Sequence, residues 1–258
     1  MHLTKTTLSS IELNPIDICN RTCSFCPRGI GFENTKSQMS LETVESINKS
    51  LREMDYRGTI TFAGFGEPLL LKSIKKHVQT LGNGVQYKQI KIITNGDYLT
   101  PELAGELVGA GVNCIKVSMY DKDDTEYFES FLSKYVNVER IYKHYYDGLP
   151  SEVEINRNDI WKKPPVMKIE RACYLPFYKM FINWNGDVGL CSNDWNVVET
   201  FGNVNDKPIY EIWESDYMGT YRKMLMANKR VASPCISCDV NGQVLGKESF
   251  DYFNSYYE

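Results

Sequence analysis

The sequence predicts an α/β protein with a parallel sheet, followed by a smaller region of antiparallel strands and helices. In the first 150 residues, short runs rich in β-branched residues alternate with segments whose apolar residues recur at helical spacing. This alternation is typical of a parallel sheet. After residue 160 the alternation stops, and Asn185-Gly186 between two apolar runs predicts a β-hairpin. We therefore expect two domains, 1–160 and 161–258.

In the first region, the predicted strands and helices follow one another in turn. Ser40 is expected to cap a helix, and Thr100-Pro101 to open another that ends at Gly111. A helix between these two carries apolar residues at positions 74, 78 and 81. Periodicity does not distinguish an open, doubly wound sheet from a barrel. The predicted strands are 11–17, 59–64, 89–95, 114–119, 138–146 and 153–156.

The second region predicts the hairpin strands 178–184 and 187–192, then helices at 209–213 and 217–226. The segment from residue 239 onward is polar and rich in tyrosine, and we expect it to wrap around the surface.

Composition excludes several classes of partner. The 258-residue chain has a net charge of −4 and therefore presents no overall basic character for nucleic acid or anionic lipid. No apolar run approaches the roughly 20 residues of a membrane span, and the N-terminus lacks a signal-peptide core. We expect a cytoplasmic protein without a nucleic-acid or membrane partner. Thiols stay reduced in the cytoplasm, so eight cysteines suggest metal binding rather than disulfides.

Three cysteines near the end of the first predicted strand form a C-x3-C-x2-C motif, Cys19, Cys23 and Cys26. Soft thiolates select iron–sulfur clusters or zinc, and a closed structural zinc site has four ligands. Three thiolates would leave one iron of a four-iron cluster open to a ligand that is not protein. Zinc binding, or a chance group of core cysteines, is the alternative.

A second set of four cysteines lies in the C-terminal region. It predicts a closed site, which is either a four-cysteine zinc site or a fully ligated [4Fe-4S] cluster. Only Cys114 belongs to neither set. The members of the second set are Cys173, Cys191, Cys235 and Cys238.

The first motif, with an aromatic residue just before its last cysteine, resembles the signature of the radical S-adenosylmethionine (radical SAM) enzymes. The C-terminal pattern of a hairpin followed by Pro234-Cys-x-x-Cys238 resembles twitch, a shortened relative of the SPASM domain. The resemblance implies a partial (β/α)6 radical SAM barrel with a small C-terminal β-hairpin/helix auxiliary-cluster domain. It further implies S-adenosyl-L-methionine (SAM), two [4Fe-4S] clusters and an electron donor of the flavodoxin or ferredoxin type.

The resemblance also implies which residues hold SAM. Phe25 occupies the position where an aromatic ring lies against the adenine. Phe65-Gly66-Glu67-Pro68 resembles the family's Gly-Gly-Glu element, whose carbonyls bind the ammonium of SAM, although phenylalanine replaces the first glycine. Asn95 and Ser118, at the ends of two predicted strands, are candidates for contacts with the ribose and the carboxylate. Gly66 and Glu67 keep their positions in the element.

The whole chain resembles the twitch radical SAM dehydrogenases that oxidise a secondary alcohol of an aminocyclitol. In such a reaction the radical takes a hydrogen atom from the carbinol carbon, a base takes the hydroxyl proton, and the second electron passes to the auxiliary cluster. Arg157 matches a stretch that supplies an arginine at the substrate, where a guanidinium stabilises the developing alkoxide. No aromatic residue follows Cys191, so Asn193, Asp194 and Trp195 are expected beside a different sugar-like or aminocyclitol substrate.

Three other functions remain open from the sequence. A carbohydrate epimerase of the cysteine-donor kind needs a thiol beside the substrate, and the only unassigned cysteine, Cys114, lies about 13 Å below Ser118 on the same strand. A peptide-modifying maturase usually has a leader-binding module, for which we expect no room in this chain, although such modules can be separate chains. A zinc-stabilised binding protein is the non-enzymatic alternative. Oxidation is the favoured prediction.

Overall fold

In the computed structural model, residues 2–23, 26–118, 120, 122–132, 134, 171–238 and 240–257 are described. Phe25, Arg157 and the predicted strands at 138–146 and 153–156 lie outside these residues.

The described residues form seven strands and nine helices. No helix among them is both long and apolar enough to cross a lipid bilayer. The strands are β1 (Ser10–Leu13), β2 (Thr59–Phe62), β3 (Gln89–Thr94), β4 (Cys114–Val117), β5 (Lys179–Ile182), β6 (Asp187–Gly189) and β7 (Thr200–Asn203). The helices are α1 (His2–Thr7), α2 (Leu41–Glu53), α3 (Ile74–Gly82), α4 (Pro101–Ala110), α5 (Lys122–Leu132), α6 (Leu175–Tyr178), α7 (Ile209–Trp213), α8 (Asp216–Met226) and α9 (Lys247–Tyr257).

All seven strands belong to one sheet, in the order β4-β3-β2-β1-β5-β6-β7. The first four strands are parallel, and each lies beside its neighbour in sequence. A doubly wound sheet reverses this order, whereas a (β/α) barrel keeps it. The winding therefore favours the predicted partial barrel. From the C-terminal region, β5 pairs parallel with β1, and β6 and β7 continue the sheet antiparallel.

The predicted capping residues define the helix ends. Ser40 Oγ accepts a hydrogen bond from Thr43 N at 3.1 Å at the start of α2. Thr100 Oγ1 accepts one from Leu103 N at 3.2 Å at the start of α4. Gly111, with φ of +120°, ends α4 in a conformation that glycine adopts more readily than other residues.

Successive side chains along a strand point alternately into the packed core and into the barrel interior. On β3, Ile90, Ile92 and Thr94 are buried, while Lys91 and Ile93 are half-exposed on the opposite face. The buried face packs against the helices, and the other face borders a large cavity. Because the strands are parallel, their carboxyl ends lie at one rim of this cavity.

The strands predicted at 59–64 and 187–192 end earlier, at Phe62 and Gly189, and two further predictions were wrong for physical reasons. The first strand ends at Leu13 instead of continuing to residue 17, since Pro15 has no N–H to donate to a neighbouring strand. The segment after residue 239 does not simply wrap around the surface, because it contains α9. Phe253 of this helix is fully buried against Phe177 and Trp213. One deeply buried ring in a polar, tyrosine-rich segment does not produce the repeated apolar spacing from which a helix can be predicted.

Candidate active site

The loop after β1 brings the first three cysteines together at the carboxyl end of the sheet. Cys19, Cys23 and Cys26 are half-buried free thiols, and Cys26 N donates to Cys23 O at 2.9 Å. Burial raises the pKa of Cys19, and the neighbouring thiols add to this effect. Burial also raises the pKa of Cys23. Thiols in such surroundings become thiolates when a bound metal centre compensates the negative charge.

Gly66 lets the chain after β2 pass directly beside this cysteine loop. A Cβ at this position would lie 2.1 Å from Ile16 O and 2.6 Å from Ile18 O, both backbone atoms. The next residue fixes the contact, because Glu67 N donates to Ile18 O at 2.9 Å. The close approach therefore requires glycine and explains this part of the predicted SAM-binding element.

Glu67 fastens the end of β2 to the end of β3. Its carboxylate is buried and accepts hydrogen bonds from Leu69 N at 3.0 Å, Thr94 Oγ1 at 2.7 Å and Asn95 N at 2.8 Å. Burial raises its pKa, although these donors act in the opposite direction. Its side chain thus orders the rim on which the cofactor residues are expected.

Asn95 and Ser118 lie at neighbouring strand ends, as predicted. Asn95 Nδ2 donates to Asn20 Oδ1 at 2.9 Å and lies 3.8 Å from Cys19 Sγ. Ser118 is half-buried, and its backbone N donates to Thr94 O at 2.9 Å. Asn95 therefore contacts the cysteine loop itself, which joins the loop to the cofactor-binding rim.

An ion pair strengthens the contact between the cysteine loop and the loop after β3. Arg21 Nε donates to Asp97 Oδ2 at 2.7 Å, and Asn20 Nδ2 donates to the same oxygen at 2.5 Å. The Arg21 guanidinium, the largest influence, lowers the pKa of Asp97. It also lies 4.0 Å from the centre of the Tyr120 ring. Sequence reasoning missed this group; opposite charges on the cysteine loop and the loop after β3 were the available signal.

The four C-terminal cysteines also come together. Burial raises the pKa of Cys191 well above its usual range, and the nearby thiols of Cys238, Cys235 and Cys173 add to it. Burial likewise raises the pKa of Cys235 to about 12. The four thiols, from three chain segments, thus lie in one neighbourhood, and four thiolates are the number of donors that a closed metal centre needs.

Arg230 organises the backbone around this second set. Its side chain is 8% exposed and donates to Val240 O at 2.7 Å and Asn241 O at 3.1 Å. It also contacts Arg171 O at 3.3 Å and Cys238 O at 3.4 Å. No sequence pattern marks an arginine that binds backbone carbonyls, so this residue was not predicted.

We expect Arg230→Met to lose the metal centre of the second set while the first set stays intact. Methionine keeps the length of the side chain but removes every donor, which leaves buried carbonyls unpaired. Iron content after anaerobic reconstitution should fall by about half, and SAM cleavage should persist. Lys229→Met, at an exposed neighbouring position, is the matched control. Full iron content in Arg230→Met would contradict this role.

A buried aromatic cluster joins the cysteine loop to the C-terminal region. It comprises Phe65, Phe181 and Trp195, and Cys26 packs against it. The Phe65 ring centre lies 4.6 Å from that of Trp195 and 5.0 Å from that of Phe181. The phenylalanine that replaces the family's first glycine thus anchors the C-terminal region on the cysteine loop.

A cavity of about 1480 Å³ opens beneath the rim, on the inner face of the sheet. Asn193 and Trp195 line it, as predicted, and Ser192 lines it as well. Asp194 does not; it is 1% exposed, and its carboxylate accepts from Glu199 N at 3.3 Å. Among the described residues, no three His, Cys, Asp or Glu side chains are arranged to hold a single metal ion.

Comparison with known proteins agrees with this geometry. The family model of the radical SAM superfamily matches residues 13–149, and that of the SPASM iron-sulfur cluster-binding domain matches residues 173–239. The chain belongs to the radical SAM superfamily, and it is a radical SAM enzyme. The two matches imply SAM and iron–sulfur clusters as its cofactors, and the two cysteine sets fit the clusters as thiolate donors.

Two relatives and one solved structure show how much of the chain the similarity covers. The chain is 28% identical to S-adenosyl-L-methionine-dependent 2-deoxy-scyllo-inosamine dehydrogenase from Niallia circulans, over 95% of this chain and 97% of the relative. The crystal structure of BtrN in complex with AdoMet and 2-DOIA matches with a TM-score of 0.77 and 27% identity, covering 91% of this chain and 94% of that one. GTP 3',8-cyclase of Pasteurella multocida is 32% identical, but over only 44% of this chain and 33% of the relative.

Proposed function

We propose that this enzyme oxidises a carbinol carbon of a sugar-like or aminocyclitol small molecule to a ketone. The second set of four cysteines is the observation that carries the proposal, since a fully ligated cluster offers an acceptor for the second electron. Similarity to a dehydrogenase along nearly the whole chain supports the same reaction.

The residues that we expect to bind the cofactors form two sites. When bound at the first cysteine set and reduced by one electron, SAM would give methionine and a 5′-deoxyadenosyl radical, and this radical would take one hydrogen atom from the substrate. We assign Cys19, Cys23 and Cys26 to the first cluster, and Phe25, Gly66, Glu67, Asn95 and Ser118 to SAM. We assign Cys173, Cys191, Cys235 and Cys238 to the second cluster.

After the hydrogen atom has been abstracted, one proton and one electron still have to leave the substrate. The hydroxyl proton leaves to a base, and the Arg157 guanidinium stabilises the developing alkoxide because it stays charged at all working pH values. The second cluster, when bound by its four cysteines, would accept the electron and pass it on to an external carrier, and a flavodoxin or ferredoxin would supply the electron that cleaves SAM. We place the enzyme in the cytoplasm, where unliganded thiols stay reduced.

The position of Cys114 argues against epimerisation. It is the first residue of β4 and fully buried, and it pairs with Lys91 of β3. Ser118 at the rim lies four residues further along, about 13 Å away at about 3.3 Å per residue. A thiol at this depth is too far from the rim to return a hydrogen atom to a substrate radical.

The reaction type can be tested with anaerobic holoenzyme, SAM and a panel of cyclitols and sugars that includes 2-deoxy-scyllo-inosamine. In deuterated water we expect a ketone and one 5′-deoxyadenosine per product, and no re-isolated epimer with deuterium at the reacting carbon. Cys114→Ala should keep this turnover. An inverted carbon that carries one solvent deuteron, together with inactive Cys114→Ala, would show an epimerase instead.

A further inference from the structure

The cavity inside the barrel carries an excess of positive charge, although the chain as a whole has a net charge of −4. Among the described residues, seven basic and three acidic side chains line it. Two of the three acids are already neutralised by neighbours. Glu12 pairs with Lys179, and Asp55 pairs with Arg57 at 2.7 Å. The third, Glu248, is exposed.

Lys91 is the lysine in this cavity that most needs a counter-charge. It is half-buried on the inner face of β3 and forms no ion pair with any residue in the described part of the chain. The register of β3 and β4 pairs Lys91 with Cys114 and Ile93 with Lys116. Lys116 therefore lies diagonally across from Lys91 on the same face.

The depth of these lysines relates them to the substrate. Lys116 lies two residues before Ser118, about 7 Å below the rim, and Lys91 lies four residues before Asn95, about 13 Å below it. Because the four-carbon stem of a lysine carries its ammonium well away from the backbone, the far end of a molecule whose carbinol reacts at the rim would come within reach of these ammonium groups. A cavity with low-dielectric walls strengthens the attraction of a lysine for an anion.

Resting on the proposed function, we infer that the substrate carries an anionic group, a phosphate or a carboxylate, which Lys91 binds at the end of the molecule remote from the reacting carbinol. An amine in the same place would meet the lysines and would find the Glu12 carboxylate already paired with Lys179. An acidic substrate would thus distinguish this enzyme from 2-deoxy-scyllo-inosamine dehydrogenase. The substrate in that relative's name is an aminocyclitol, and its amine is a cation.

The test measures binding of four probes to anaerobic holoenzyme with SAM bound, by isothermal titration calorimetry. The probes are glucose, glucosamine, glucuronate and glucose 1-phosphate, which compare a neutral, a cationic, a carboxylate and a phosphate ligand. We expect at least one anionic probe to bind about tenfold more tightly than glucose. Preference between glucuronate and glucose 1-phosphate identifies the anionic group.

Two variants of Lys91 test whether the anion preference comes from a contact with this lysine or from the overall positive charge of the cavity. Lys91→Gln should abolish the anion preference, and Lys91→Arg should retain most of it. Lys72→Gln, at an exposed lysine outside the cavity, should change nothing. Equal or undetectable binding of all four probes, tighter binding of glucosamine, or an anion preference that survives Lys91→Gln would overturn the inference. None of these outcomes affects the oxidation, which ketone formation tests separately.

Discussion

Simultaneous replacement of Cys19, Cys23 and Cys26 by alanine is expected to abolish SAM cleavage while about half of the iron remains. The three thiols are the only side chains of this loop that can bind iron as thiolates, and Asn95 at the rim lies 3.8 Å from the Cys19 thiol. The second set of cysteines lies on other segments and keeps its own donors.

Iron and sulfide analysis together with 5′-deoxyadenosine formation under reducing conditions would measure this result. The matched control is the Cys173→Ala/Cys191→Ala double variant, which should also lose about half of the iron yet still cleave SAM without forming product. Residual SAM cleavage in the triple variant would contradict the assignment of the first set. Loss of all iron from it would show that the two sites do not assemble independently.

Gly66→Ala should displace the cysteine loop and weaken SAM binding strongly. The added methyl group would lie 2.1 Å from Ile16 O, and Ile16 itself is fully buried, so the backbone has to move. Overpacking of this kind costs about 1–3 kcal/mol of unfolding free energy, occasionally more. The loop moves with its three thiols, and we therefore expect a reduced occupancy of the first cluster as well.

Gly109→Ala is the matched control for this substitution. Gly109 lies in α4, and a Cβ there would meet no atom within 4 Å. Alanine should stabilise that helix by about 0.5–1 kcal/mol. Thermal unfolding and SAM binding measured on both variants separate a local clash from a general effect of replacing glycine. Wild-type SAM affinity in Gly66→Ala would show that the close approach is not needed.

Much of the fold was predictable because its signals are local. The caps Ser40 and Thr100 and the turn at Asn185-Gly186 each depend on residues a few positions apart. The cysteine sets were equally visible, since thiols are rare and their spacing is short. The pairing of β5 with β1 joins segments almost 170 residues apart, and no local pattern encodes it.

The parts of the site that sequence reasoning missed act through long-range contacts. Arg230 binds backbone carbonyls, which any sequence can provide. Lys91 becomes noteworthy only when the strand register turns it into the cavity and Glu12 is seen to pair with Lys179. Phe65 looked like a departure from a family element until its ring was found between Phe181 and Trp195.

We expect each chain to hold two four-iron clusters, one open and one closed. Metal and sulfide analysis of the anaerobically reconstituted wild-type protein tests it most directly. We predict roughly eight irons and eight sulfides per chain, the content of two four-iron sites, without stoichiometric zinc. A preparation with four irons and one zinc would contradict it, because the second site would then have no electron acceptor to offer.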